Sequence, residues 1–141
     1  MATFTKINDF VKDLAHGVHK LNTDTLKIAI SNTAPSAETN DPTGDGNGVI
    51  ANVTQITYSF AQDRVVSIGT SSQTGGVYTL TLNNKALKAT AIVGPFRYIY
   101  LFNDDAVSDN LIGYWDYGSS VSLSNGETFT AEFSATSITL S

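Results

Sequence analysis

The sequence predicts a mainly β chain: a single antiparallel β-sandwich or barrel-like domain with one amphipathic helix at its amino terminus. Three observations predict it. Apolar residues recur at three- and four-residue steps only near the start, as on one face of a helix. From Thr25 the apolar period falls to two, the period of a strand with one buried face. Finally, Gly, Asn, Ser and Thr interrupt these runs at short intervals, where tight turns need them. The 141 residues are read as one domain, 1–141. A chain of this size buries roughly two-thirds of its unfolded surface, so a core forms without covalent staples.

The helix is predicted over 4–21. Phe4, Ile7, Val11, Leu14, Val18 and Leu21 share one face, with Asp9, Asp13, His16 and His19 opposite. Thr3 or Thr5 is expected to cap its start, and Asn22 with Asp24 to end it. The β-rich body, 25–141, follows. Leu26, Ile28 and Ile30 alternate with Lys27 and Ala29, a half-buried strand. Residues 33–48 form a polar loop holding Pro35 and Pro42, three glycines, Glu38, Asp41 and Asp45; it carries too little apolar surface to order itself. Further strands are expected at 49–58, 64–69 and 77–82. Asn83 and Asn84 are expected to turn the chain so that 87–93 returns antiparallel to 77–82, and Asn125 with Gly126 to join 121–123 to 129–133 in a hairpin. A last strand runs through Ile138 and Leu140.

One segment breaks the alternation. From Pro95 to Phe102 both faces are apolar or aromatic, which marks a central strand, and Leu111 to Tyr117 is expected to pair with it across the acidic loop 103–110. Most of the aromatic mass lies in these two segments, so they are expected to form the core. The competing arrangement is an exposed platform of Tyr114, Trp115 and Tyr117 on which a sugar stacks.

The chemistry that composition excludes is broad. The chain has no Cys, so disulfides, thiolate metal sites and thiol nucleophiles are out. Eight Lys and Arg against 13 Asp and Glu, a net charge of −5, argue against nucleic acid as a partner. Phe4, Ile7 and Phe10 are interrupted by charged residues, so the start holds neither a leader core nor a membrane span. His16 and His19 lie within reach of one ion but lack a third ligand, and are read as solvated. Asp41, Asp45 and Asn47 among glycines have oxygen donors without calcium-loop spacing. No GxSxG elbow or P-loop lysine accompanies the serines or Gly75 and Gly76, and the carboxylates Asp104, Asp105, Asp116, Glu127 and Glu132 are not paired by any spacing rule. The expectation is a protein that is not an enzyme and needs no cofactor or metal.

Three carboxy-terminal segments, GPFRYIYLFND at 94–104, LIGYWDYGSS at 111–120 and LSNGETFTAEF at 123–133, together with the opening TFTKINDFVKDLAHGVHKL and TLKIAISNTAP, resemble virion structural proteins of tailed bacteriophages, of the capsid decoration or cement type. The resemblance leaves 36–70 as its least familiar stretch. It implies a protein made in the host cytoplasm that binds the outside of the head, partnered by the major capsid protein, often as a homotrimer, bridging capsomers and stabilising the shell. It carries over no catalytic residues. The partner-facing residues are expected in the amino-terminal arm, Ala2, Thr3 and Phe4, and in the loop from Pro35 to Gly48, with Asp41, Pro42 and Asp45, because neither segment looks able to stabilise itself. The alternatives are a carbohydrate- or receptor-binding module of a tail or fibre, and a tail-tube or head-completion subunit.

Overall fold

The computed structural model describes residues 2–35, 48–133 and 137–140. Among these, ten strands and one helix follow in the order β1 (Thr3–Lys6), α1 (Asn8–Ala15), β2 (Leu26–Ser31), β3 (Val65–Val66), β4 (Ile68–Thr74), β5 (Val77–Leu82), β6 (Lys85–Lys88), β7 (Val93–Asn103), β8 (Leu111–Leu123), β9 (Thr128–Ala131) and β10 (Ser137–Leu140). The sheets are antiparallel and pack as a β-sandwich, as the periodicity predicts.

The main sheet has the order β1-β8-β7-β2-β3, which puts β7 at its centre. Its register aligns Phe4, Trp115, Ile99 and Ile30 across four strands. Trp115, Ile99 and Ile30 are fully buried there. The opposite face of the same strands carries Ala29, Tyr98, Tyr100 and Phe102, also buried, so β2 and β7 are buried on both sides. This is the two-sided pattern that the apolar run of β7, interrupted by Arg97, foreshadows; β2, expected to be half-buried, shares it, with β7 and the chain around 56–64 bonded to its edges. Ile28 N donates to Arg64 O at 3.0 Å and Ile56 N to Ile30 O at 3.0 Å.

The second sheet has the order β10-β5-β4 and shares no strand with the first. Carbonyls of a strand point alternately to either side. Arg64 O accepts from Ile28 N, and three residues on, Ser67 O accepts from Asn83 N at 3.0 Å. The stretch 65–74 thus links the two sheets, β3 pairing with β2 and β4 with β5. Phe4 and Lys6 of β1 and Ile138 and Thr139 of β10 line a groove of about 190 Å3 where the two sheets meet. A two-stranded ribbon, β6-β9, closes one end, with Phe129 edge-on to Phe96 at 5.3 Å between centroids.

The helix is shorter than expected and differently phased. The stretch 4–21 divides into β1, the eight residues of α1 and a loop. Phe4 is drawn into a strand because it lies opposite Trp115 and packs on it at 5.0 Å, a contact that local periodicity does not encode. Ile7, not Thr3 or Thr5, precedes the first turn, with no side-chain cap, and the chain leaves the helix at His16 and Gly17, where φ is +78°. Phe10, Asp9 and Asp13 are buried, whereas Val11 is 54% exposed. The expected apolar stripe thus does not define the buried face: Asp13 is held inside by Asn110, whose Nδ2 donates to it at 2.9 Å, and Asp9 pairs with Lys12 at 3.3 Å.

Three strand expectations are corrected. Residues 49–58 form a single 3-10 turn at Ile50–Asn52 and otherwise irregular chain, touching its neighbours at single points, Val49 bridging to Asn110 and Ile56 N donating to Ile30 O, rather than along a ladder. Asn83 and Asn84 do not make a hairpin: β6 crosses to β9, while β5 takes β4 and β10 as neighbours. The hairpin partner of β5 comes instead through Gly75 and Gly76. Around Asn125 and Gly126 the turn forms, Ser124 N donating to Glu127 Oε1 at 2.9 Å, yet β9 pairs with β6 rather than β8. Gly126 N donates to Ala89 O at 2.8 Å, which carries the chain across to the ribbon.

Candidate functional site

The predicted partner-facing residues fall in three places. Ala2 is buried and Phe4 half-buried, its ring against Trp115, so the amino-terminal arm is held by the body rather than left free. Thr3 lies in β1 opposite Asp116. Pro35 is buried at the end of the chain that leaves β2. Asp41, Pro42 and Asp45 lie outside the described residues.

The aromatic platform is not assembled. Trp115 is fully buried between Phe4 and Phe133, the latter ring 4.4 Å away. Tyr114 lies on the other face of β8 beside Tyr98 and Tyr100, and Tyr117 packs on Phe129 at 5.4 Å. Neighbouring residues of a strand point to opposite faces, so Tyr114 and Trp115 cannot offer one stacking surface. Burial pushes the Tyr117 hydroxyl up to about 12, with Glu132 adding to the shift.

A polar network that sequence reasoning missed organises one end of the sheet. Asn103, fully buried at the end of β7, uses its whole amide: Nδ2 donates to Asp24 Oδ2 at 2.6 Å and to His19 Nδ1 at 3.0 Å, while Oδ1 accepts from Asp105 N at 3.0 Å. Asp105 Oδ2 in turn accepts from Thr25 N at 2.6 Å, and Lys27 pairs with Asp104 at 2.9 Å. His19 is therefore an interior residue, not the solvated one expected, and burial lowers its pKa against the pull of Asp13 and Asp24. His16 alone of the two histidines stays exposed. Among the described residues no three His, Asp or Glu side chains converge as metal ligands. The one signal for this network is the density of Asn and Asp in 103–110 and 22–24, which fits a turn equally well.

A second anchor holds the chain around 58–64. The Arg64 guanidinium stacks over Tyr58 at 4.2 Å and donates to Ile28 O at 3.0 Å, while the Tyr58 hydroxyl donates to Asp63 O at 2.9 Å. On the surface, Arg97 grips Asp116 with two bonds of 2.7 and 3.1 Å, and this fork holds the carboxyl below its ordinary range.

Two surface features remain once these contacts are assigned. The β4–β5 hairpin is exposed along all of Gly69 to Val77, and its inner face meets Leu14, Leu21 and Leu140 across an open groove of about 570 Å3 lined also by Tyr78. Val107 and Ile92 stand fully and 79% exposed on loops. The chemistry of this surface is hydroxyls, amides and scattered apolar side chains. No protein-family model matches the chain, and no curated protein or solved structure is significantly similar to it.

Proposed function

We propose that this protein is a non-enzymatic structural component of a tailed-phage virion, a decoration protein that binds the outer surface of the head, partners the major capsid protein and bridges capsomers. The observation that carries the reading is where the resemblance lies in the fold. The segments 94–104, 111–120 and 123–133 make up β7, nearly all of β8, and the turn into β9, and the opening segment makes up β1 and α1. The likeness therefore runs through the scaffold that builds the body, as expected of proteins that share an architecture and act by occupying surface.

On this reading the work is mechanical. Each copy bridges neighbouring capsomers, so separating them under internal pressure requires breaking decoration contacts as well as shell contacts. Many modest contacts acting together then suffice. The acidic surface suits the outside of the head, away from DNA, and the homotrimer expected from the resemblance places three copies round each threefold position.

The experiment is electron microscopy of heads incubated with the purified protein, immature and expanded separately. Ordered density on the outer surface, at many symmetry-related positions, is expected. Density confined to the tail, or none on either form of the head, overturns the reading.

A further inference from the structure

The strand β4 ends its sheet, so one side of its backbone is unpaired among the described residues. Its hairpin shows which groups are free. Gly75 and Gly76 have φ of +59° and +84°, the two positive angles of a type I′ turn, with Thr74 opposite Val77. In such a two-residue hairpin the flanking residues exchange both hydrogen bonds, and bonded pairs recur at every second position. Ser72 therefore bonds with Thr79, and Ser71 and Gln73 direct their N–H and C=O groups away from β5, into solvent.

Natural edge strands are kept apart by charge, proline or cover. The whole of 68–82, IGTSSQTGGVYTLTL, holds no charged residue and no proline. The other edges differ: β1 carries Lys6, β3 is flanked by Asp63 and Arg64, the ribbon carries Lys85 and Lys88, and β10 faces β1 across its groove. The bulge between Ile68 and Thr70 sits at the base of β4, leaving 70–74 regular. A Cβ built on Gly75 or Gly76 meets nothing, so the tip stands in open space.

From this we infer that β4 is a contact strand for a second copy of this chain, pairing antiparallel with β4 of its neighbour about a twofold axis at Ser72. A second copy fits better than other occupants for two reasons. In a chain of net charge −5 this strand brings no charged side chain of its own to such a contact, Lys20 lying across the groove beside it. Antiparallel self-pairing is also complementary by symmetry: Ser71 meets Gln73 of the neighbour and Gln73 its Ser71, giving about four hydrogen bonds, while hydroxyls of Thr70, Ser72 and Thr74 line one face. The edge is short, roughly 24 Å. It buries less than the approximately 800 Å2 per partner of a standard interface, so the pair is weak in dilute solution and gains strength wherever copies are held side by side. The inference does not depend on the shell reading, and its test needs no capsid.

The absence of cysteine makes the test direct. Two copies of residue 72 face each other as a non-bonded pair, with Cα atoms about 4.5 Å apart, within disulfide reach. Under mild oxidation Ser72→Cys is expected to form a covalent dimer at least about tenfold faster than Val107→Cys, whose exposed thiol reports random collision, because pairing raises the local concentration. Gln73→Pro removes an outward N–H, a change an edge strand tolerates. It also removes the side-chain oxygen that accepts from Gly76 N in the turn, a loss that Gln73→Ala shares while keeping the outward N–H and therefore controls for. Added to Ser72→Cys, Gln73→Pro is expected to bring cross-linking down to the Val107→Cys rate while circular dichroism and melting temperature stay as they were. Equal rates for Ser72→Cys and Val107→Cys, or a fast rate that survives Gln73→Pro with the fold intact, overturns the inference.

Discussion

Asn103 Nδ2 lies 3.0 Å from His19 Nδ1, across 84 residues of chain. An amide nitrogen only donates, so the imidazole Nδ1 must accept, and the neutral ring carries its proton on Nε2. The same amide nitrogen also donates to Asp24, so one residue at the end of β7 sets the tautomer of the histidine and holds the chain entering β2.

The first prediction concerns acid. Burial lowers the folded-state pKa of His19, so between that value and the unfolded pKa of about 6.5 the unfolded chain binds more protons than the folded one. Stability contributed by the neutral ring is complete above the unfolded pKa and falls as pH drops through the window below it. Urea midpoints measured from pH 8 to pH 5 are expected to decline over that window in the wild type. His19→Asn, whose amide oxygen takes the place of Nδ1 and still accepts from Asn103, is expected to flatten this part of the curve; an unchanged slope would count against a buried neutral His19.

Asn103→Ala removes the donor to Asp24 and His19 together; it leaves the buried His19 Nδ1 without a partner, while the half-buried Asp24 keeps Lys20 N. Bonds to charged groups are worth about 1.5–3 kcal/mol, and an orphaned buried group costs about as much again. A loss of about 3 kcal/mol is expected in urea unfolding. Hydrogen exchange should speed up most at Thr25 and Asp105, which depend on the ordered loop.

Gly113 is the close-approach position of β8. A Cβ there lands on the Phe4 ring and on the Thr5 carbonyl oxygen, so Gly113→Ala forces β1 away from the sheet. The expected cost is about 1–3 kcal/mol, typical of overpacking. Limited proteolysis should then cut the amino-terminal arm first, and intact resistance of that arm would show that β1 is not held by this contact.

The single tryptophan reports the core. With Trp115 fully buried, its emission is expected to be blue-shifted and poorly quenched by acrylamide, and unmoved by sugars. Phe133→Ala leaves a cavity beside it, with an expected cost of about 3–5 kcal/mol and a red shift. A native spectrum resembling free tryptophan would contradict this packing.

The long strands are legible in the amino-acid sequence. The run from Pro95 to Phe102 announces a strand buried on both faces because no polar residue breaks it, save Arg97, which reaches Asp116 at the surface. β5 spans the residues expected of it, since Tyr78, Leu80 and Leu82 alternate cleanly. The candidate surface is much less legible. The arm at Ala2 to Phe4 looks unsupported in sequence because its support, Trp115, lies more than a hundred residues away, and the β4–β5 edge leaves no mark because a run of Ser, Thr and Gly carries no periodic signal.

The amino-acid sequence by itself determined the class of this protein: a cysteine-free, acidic, β-rich chain with its aromatic weight in two adjoining strands, because composition and period-two patterning are local properties. Only the tertiary structure decided which strands pair, that 3–6 is strand rather than helix, that His19, Asp9 and Asp13 are inside, and which edge is left open. Pairing partners, buried polar contacts and free edges are set by groups far apart along the chain, and no local pattern records which distant backbone will come to lie beside it.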